Sequence, residues 1–225
     1  MPDWCDTELG RVCTFRAGTA FPTDYQGGGT GDYPFIKVSD LSIPGNELFI
    51  RSSNNWISSD IAKQLKAKPV GAGSIVFAKI GEGLKAERLR LTAMPTLLDN
   101  NLMAAIPGNA LDPRFALYLF ATVGLSSWAA GSALPYLRQG DLTRIPIRLP
   151  ELNEQRRIAH VLGAIDDLIE TNTRAIRSIE TLLQAHFEVL SFDSPGGAKL
   201  IDRVELNPRY PRPTGVAPYV DMAAL

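Results

Sequence analysis

Two histidines, His160 and His186, are the side chains of this 225-residue chain best suited to proton transfer at neutral pH. Both fall in one long apolar-periodic segment. No carboxylate, cysteine or serine stands at a spacing that would bring it to either ring, so general-base and triad chemistry lacks its second member, and a packing or helix-surface role fits each histidine better. Two cysteines, Cys5 and Cys13, have neither CxxC spacing nor a nearby histidine, which argues against zinc or a disulfide. The run Gly27-Gly28-Gly29-Thr30-Gly31 lacks the lysine and hydroxyl of a phosphate-binding loop, and Gly81-Glu82-Gly83 lacks the further glycine of a dinucleotide fingerprint. Both read as turns. The expectation is a protein that is no enzyme by itself, with no catalytic residue, no metal site and no cofactor.

Binding chemistry is better represented. The net charge of −1 and pI near 6.1 exclude a surface coated in positive charge, but they allow charge gathered on one face. Between Arg51 and Arg90 the cations Arg51, Lys63, Lys66, Lys68, Lys79, Lys85, Arg88 and Arg90 outnumber Asp60, Glu82 and Glu87. Such a local excess neutralises phosphates, while arginine, asparagine and glutamine must reach base edges to give specificity. Lys79, Lys85, Arg88 and Arg90 are the first candidate DNA contacts, and Tyr136, Arg138 and Gln139 the second. The third is Asn54 in Asn54-Asn55-Trp56, where Trp56 itself reads as packing. Taken singly, each of these residues is first a solvated surface group; the set carries the reading.

The elements that must position them form two textures. Residues 1–150 are rich in turn formers, at Gly27–Gly31, Ile43-Pro44-Gly45-Asn46, Pro107-Gly108-Asn109 and Gly131-Ser132. Strands are expected at Phe35–Val38, Ser74–Ile80 and Ile145–Leu149, and helices at Ser58–Lys68 and Pro113–Val123. This makes a mixed α+β domain. From Glu151 to Leu190 no proline interrupts, and Ile158, Leu162, Ile165, Ile169, Ile176, Ile179, Leu183 and Leu190 recur at alternating spacings of four and three, with Asn172 within the seam. A helix of that length, about 60 Å at 1.5 Å per residue, cannot be swallowed by a small core, so it must pack against another helix. Val161, Leu168, Ala175 and Leu182 widen its apolar face. Asn172 either fixes the register of that pairing or is a polar break facing solvent.

After Pro195-Gly196-Gly197 the tail repeats the beginning: Pro218-Tyr219-Val220 matches Pro34-Phe35-Ile36, Leu225 falls where Leu41 does, and Arg203-Val204 matches Arg11-Val12. The expected domains are therefore 1–150, a globular recognition domain; 151–192, a long spacer and dimerisation helix; and 193–225, a linker with the truncated start of a second domain. Lys199–Leu225 is expected to borrow a surface or to be poorly ordered, since a lone strand pair cannot bury its apolar face.

This plan resembles the specificity subunit of type I restriction-modification systems. The resemblance is carried by Leu149-Pro150-Glu151-Leu152-Asn153-Glu154-Gln155 opening the helix, by Leu9-Gly10-Arg11-Val12, by Gly73–Gly81, and by Asp99-Asn100-Asn101-Leu102 leading to Gly131-Ser132-Ala133-Leu134-Pro135. The departure is length, because a complete member has two recognition domains and two helices. The resemblance implies a target-recognition domain on one half-site of a bipartite double-stranded DNA target and helices that pack as an antiparallel coiled coil, here in a homodimer. It also implies docking of methyltransferase subunits, which bring S-adenosylmethionine, and a separate restriction and motor subunit. The acidic opening Met1–Gly10 and the lack of any membrane-length apolar run make the cytoplasm the expected location. The alternative is a coiled-coil assembly protein without DNA binding of its own; a nuclease would need a carboxylate cluster that the sequence does not offer.

Overall fold

A computed structural model describes residues 4–131 and 133–192; the tail 193–225, with its expected domain repeat, lies outside the described residues. Chain order is β1 (Cys5–Glu8), α1 (Leu9–Val12), β2 (Cys13–Ala17), β3 (Tyr33–Ile36), β4 (Phe49–Ile50), β5 (Trp56–Ile57), α2 (Ser59–Gln64), β6 (Ile75–Ala78), α3 (Gly81–Lys85), β7 (Arg90–Thr92), β8 (Leu97–Leu98), β9 (Leu102–Pro107), α4 (Pro113–Val123), α5 (Gln139–Thr143), β10 (Pro146–Leu149) and α6 (Leu152–Phe192). The class is mixed α+β, as the turn-rich sequence with its long helix requires.

One sheet has the order β2-β9-β6-β7-β4, a second the order β5-β3-β8, and β1 pairs with β10. Period-two alternation sorts β6 between two cores. Ile75 and Phe77 join Phe15, Met103, Phe115 and Phe120 under the helices, while Val76 and Ala78 face Ile36, Leu41, Ile50 and Leu102 on the other side. A third cluster, with Phe21 stacked on Phe35 at 3.8 Å between ring centres, fills the smaller sheet against α2. The antiparallel β1–β10 ladder, Cys5 opposite Leu149 and Glu8 opposite Pro146, lays the beginning of the globular region beside its end.

Local signals account for the helix that matches its expected bounds. Asp112 accepts from the Arg114 and Phe115 amides of α4, Pro113 occupies the first turn, and Gly124 follows with φ 63°. Elsewhere local backbone turns moved the ends. The helix expected over Ser58–Lys68 stops at Gln64, because Lys66 takes a left-handed φ of 53°. The strand expected over Phe35–Val38 ends at Ile36, where buried Asp40 accepts from the Lys37 amide (2.8 Å) and turns the chain into a 3-10 segment. Gly81-Glu82-Gly83, expected as a turn, begins α3; a Cβ on Gly83 would stand 2.7 Å from Val38 Cγ1 and 3.0 Å from Ala78 Cβ, so glycine permits that close approach.

Contacts divide the chain into two units, Met1–Ile176 and Arg177–Leu225. The sequence reading placed a division at 150/151. The first unit runs further because the opening turns of α6 are rooted in the globular core: Gln155 is 1% exposed and Ala159 is 5% exposed. Further along, Arg114 donates to Asp167 Oδ1 (2.5 Å) and to the Gly163 carbonyl (3.0 Å), the Tyr118 hydroxyl donates to Asp166, and Arg51 pairs with Glu170 (3.5 Å). The Arg114 hydrogen bond holds the Asp167 carboxyl below its ordinary range, and burial, with Asp166 adding to it, pushes the Tyr118 phenol up to about 12, so it stays a donor. In the second unit the described residues are the helical stretch 177–192, where Ile179, Leu182, Leu183 and Leu190 are exposed.

Gly163 makes this clamp possible. A Cβ there would lie 2.6 Å from Arg114 Nε. In a helix interior alanine is worth about 1 kcal/mol over glycine. Gly163→Ala is therefore expected to stabilise by about 1 kcal/mol only in an Arg114→Ala background. In the wild type it displaces the guanidinium, and the two sites should couple by about 1 kcal/mol or more in urea denaturation. Additive effects would dismiss the clamp.

Candidate nucleic-acid interface

The polar groups converge at one end of the five-stranded sheet. Strand register sets this: Ala17 of β2 stands opposite Met103 of β9, and Ala78 of β6 opposite Leu102. The C-terminal ends of β2 and β6 and the N-terminal end of β9 therefore share an edge. From it emerge Gly18-Thr19, Asn100-Asn101 and Lys79. The Lys79 amide donates to the Asn101 carbonyl (2.9 Å), so the two segments touch through backbone.

Two candidate segments far apart in sequence meet here. Ile80 lies opposite Tyr136, with the Gly81 amide donating to Pro135 O (2.8 Å) and the Leu137 amide donating to Lys79 O (2.8 Å). Tyr136 itself closes a hairpin on Ala130, each amide donating to the other's carbonyl at 2.9 Å. Gly131, with φ 87°, supplies the turn that this closure needs. The Arg138 guanidinium lies 5.2 Å from the Tyr136 ring centre and donates to its hydroxyl, which pairs exposed Arg138 with half-buried Tyr136. Gln139 follows, exposed, at the start of α5. Lys79 and Tyr136 are thus neighbours through their backbone, with Arg138 and Gln139 following Tyr136. Lys85, at the end of α3, pairs with Glu82 (2.6 Å), and Arg88 is exposed in the connection before β7.

Arg90 and Asn54 are placed differently. Arg90 Nε donates to Leu41 O (3.1 Å) and its Nη1 to Leu89 O (2.8 Å). Burial, with Arg88 beside it, draws its proton affinity below the ordinary arginine value. Its guanidinium ties β7 to the Val38–Ser42 turn. Asn54 Nδ2 donates to Asp40 Oδ1 (2.9 Å), beside the Asn46 side chain that serves the Arg51 and Ser52 amides. That network holds the loop leading to β5, in which Trp56 is half-buried.

Asn100 and Asn101 are the polar pair that residue-type reasoning missed. Both are exposed at the tip of a turn closed by Leu102 N donating to Asp99 O (2.9 Å) and by Asn101 N donating to Asp99 Oδ1 (2.7 Å). The available signal was an amide pair at a turn before an apolar strand, and asparagine amides pair with adenine edges. Cys13 is buried, donates to Leu9 O (3.1 Å), and burial pushes its thiol up to about 12. Among the described residues no three histidine, cysteine or acidic side chains are grouped to hold a metal, and no helix is long and apolar enough to cross a membrane.

Residues 1–181 match the family described as the type I restriction modification DNA specificity domain. The chain is 23% identical over 219 residues to the type I restriction enzyme MjaIX specificity subunit of Methanocaldococcus jannaschii, covering 93% of this chain and 49% of that protein. It is 24% identical over 176 residues to the EcoR124I/EcoR124II specificity subunit of Escherichia coli, covering 73% and 42%. Its fold is similar to the type I restriction-modification S subunit from M. genitalium, with TM-score 0.62 at 16% identity over 86% of this chain and 47% of that one. The HsdS subunit from Thermoanaerobacter tengcongensis gives TM-score 0.54 at 22% identity, over 77% and 40%. The chain thus spans about half the length of the curated relatives it matches.

Proposed function

This chain belongs to the type I restriction modification DNA specificity domain family, and on that premise we propose that its globular region binds one half of a bipartite double-stranded DNA target through the sheet edge of Lys79 and Tyr136. The observation that carries the reading is the backbone pairing that brings half-buried Lys79 to the exposed Asn101 turn and to the Tyr136 segment with exposed Arg138 and Gln139. Cations there supply affinity and register; the amides and Arg138 supply donors for base edges. Lys85 and Arg88 extend the positive field. Half-buried Arg90 ties β7 to the Val38–Ser42 turn, and exposed Asn54 remains a further candidate contact.

The chain acts without chemistry of its own. Two copies pair through α6, using Leu162, Ile165, Ile169, Ile176, Ile179, Leu183 and Leu190, while Ile158 packs against the globular core, in an antiparallel homodimer that addresses an inverted repeat. In that complex the methyltransferase subunits hold the methyl donor and flip the base, and the restriction subunit cuts. Support for pairing comes from exposure: Ile165, Ile169 and Ile176 are 53%, 58% and 56% exposed in the isolated chain, more apolar surface than a finished helix leaves in water.

Selection of duplexes from a randomised library is expected to return an inverted repeat. Binding of the selected duplex should weaken steeply with salt. Lys79→Glu/Lys85→Glu is expected to bind it at least about tenfold more weakly, with the slope of log affinity against log salt reduced by about 2. An unenriched library, or a charge-reversed variant that binds as the wild type does, would reduce the chain to an assembly helix.

A further inference from the structure

A recess of about 240 Å³ opens beside the C-terminal end of β2, lined by Arg16, Gly18, Thr19, Lys66 and Lys68 over an apolar floor that includes Leu98. Arg16 is fixed at its rim, its Nη1 donating to Pro69 O (3.1 Å). No carboxylate pairs with Arg16, Lys66 or Lys68 among the described residues. The acid next in the chain after that floor, Asp99, is 8% exposed and accepts from the Asn101 amide. Three cations thus share a concave site with no counter-charge of their own.

Lys66 adds an independent observation. It is one of two non-glycine residues with positive φ among the described residues, at 53°, just past α2 where glycine is the strain-free choice. A lysine there costs local stability and keeps an ammonium at the recess.

The position agrees. β2 and β6 are separated by β9 alone, so the recess lies about 10 Å along the sheet edge from Lys79. That is about three base-pair rises of 3.4 Å.

We propose that this recess holds a backbone phosphate of the bound duplex, fixing the register in which Asn101 and Arg138 meet the bases. The proposal rests on the DNA-binding reading above. Its ligand is a phosphodiester oxygen pair held by Arg16 and the two ammonium groups.

Anisotropy of a labelled random-sequence duplex, from about 50 to about 200 mM KCl, tests it through phosphate contacts alone. Lys66→Asn/Lys68→Gln is expected to lower the salt slope by about 1 to 2. Asparagine accepts the left-handed backbone, so Lys66→Asn should melt no lower than the wild type. Lys63→Gln is the control, since Lys63 already pairs with Asp60 (3.2 Å) outside the recess; its slope should equal the wild type's. Equal slopes for the double variant, or an equal loss in the control, would overturn the assignment. Inorganic phosphate at matched ionic strength covers the other source: if it raises the wild-type Tm but not the variant's while duplex slopes coincide, the recess serves a free anion and the backbone assignment falls. A wild type that binds no duplex even at the lowest salt would bring down the DNA-binding reading itself, an outcome distinct from coincident slopes.

Discussion

Replacing Gln155 by leucine is expected to cost about 3–5 kcal/mol of stability, a large part of what a domain this size possesses. The side chain is 1% exposed and makes three bonds to backbone: Oε1 accepts from the Asp112 amide (2.9 Å), and Nε2 donates to Ala110 O (3.0 Å) and Pro150 O (2.9 Å). Leucine fills the volume but leaves one amide and two carbonyls without partners, each worth about 1–3 kcal/mol when buried. The loss propagates, because Asp112 caps α4 and Pro150 joins β10 to α6. Glutamate restores only the acceptor and brings a charge into the site, so Gln155→Glu should be no better. Urea denaturation followed by tryptophan fluorescence measures both. A cost below about 1 kcal/mol would mean that α6 is not rooted through Gln155.

The second large effect concerns assembly. Ile165→Glu/Ile169→Glu is expected to turn dimers into monomers in light scattering. Both side chains are more than half exposed in the single chain, so the variant should keep its fold and lose only its partner. Affinity for the inverted repeat should then fall about 10²–10⁴-fold, to that of one half-site, since the second domain no longer benefits from tethering. Single half-site binding should persist. Dimers that survive both glutamates would remove this face from the interface.

The two variants separate kinds of information the chain carries. Gln155 belongs to the Leu149–Gln155 stretch by which the family resemblance was recognised. The sequence did not disclose that its amide stitches three backbone groups from two other segments. The reason is distance along the chain: Asp112 and Gln155 are 43 residues apart, and no local pattern encodes such a bond. The same holds for Lys79 and Tyr136, which meet only because β6 and the hairpin at Gly131 pair backbone to backbone. Arg90 and Asn54 are plausible contacts by residue type, and in the fold they bond to Leu41 and Asp40 of one remote turn.

What the residues determined by themselves is what short-range physics governs. Apolar side chains at spacings of four and three mark the long helix, and an aspartate cap with proline and a closing glycine bound α4. These read directly because the interacting positions lie within one or two turns. The tertiary structure decided which loops share an edge, which cations are left to face a ligand, and where the chain tolerates strain. Lys66 is one of eight cations between Arg51 and Arg90 in the sequence; its left-handed backbone and its place beside Arg16 and Lys68 follow from strand register and from a helix that ends at Gln64. Such surfaces are sums of long-range pairings, so they exist only once the sheet has formed.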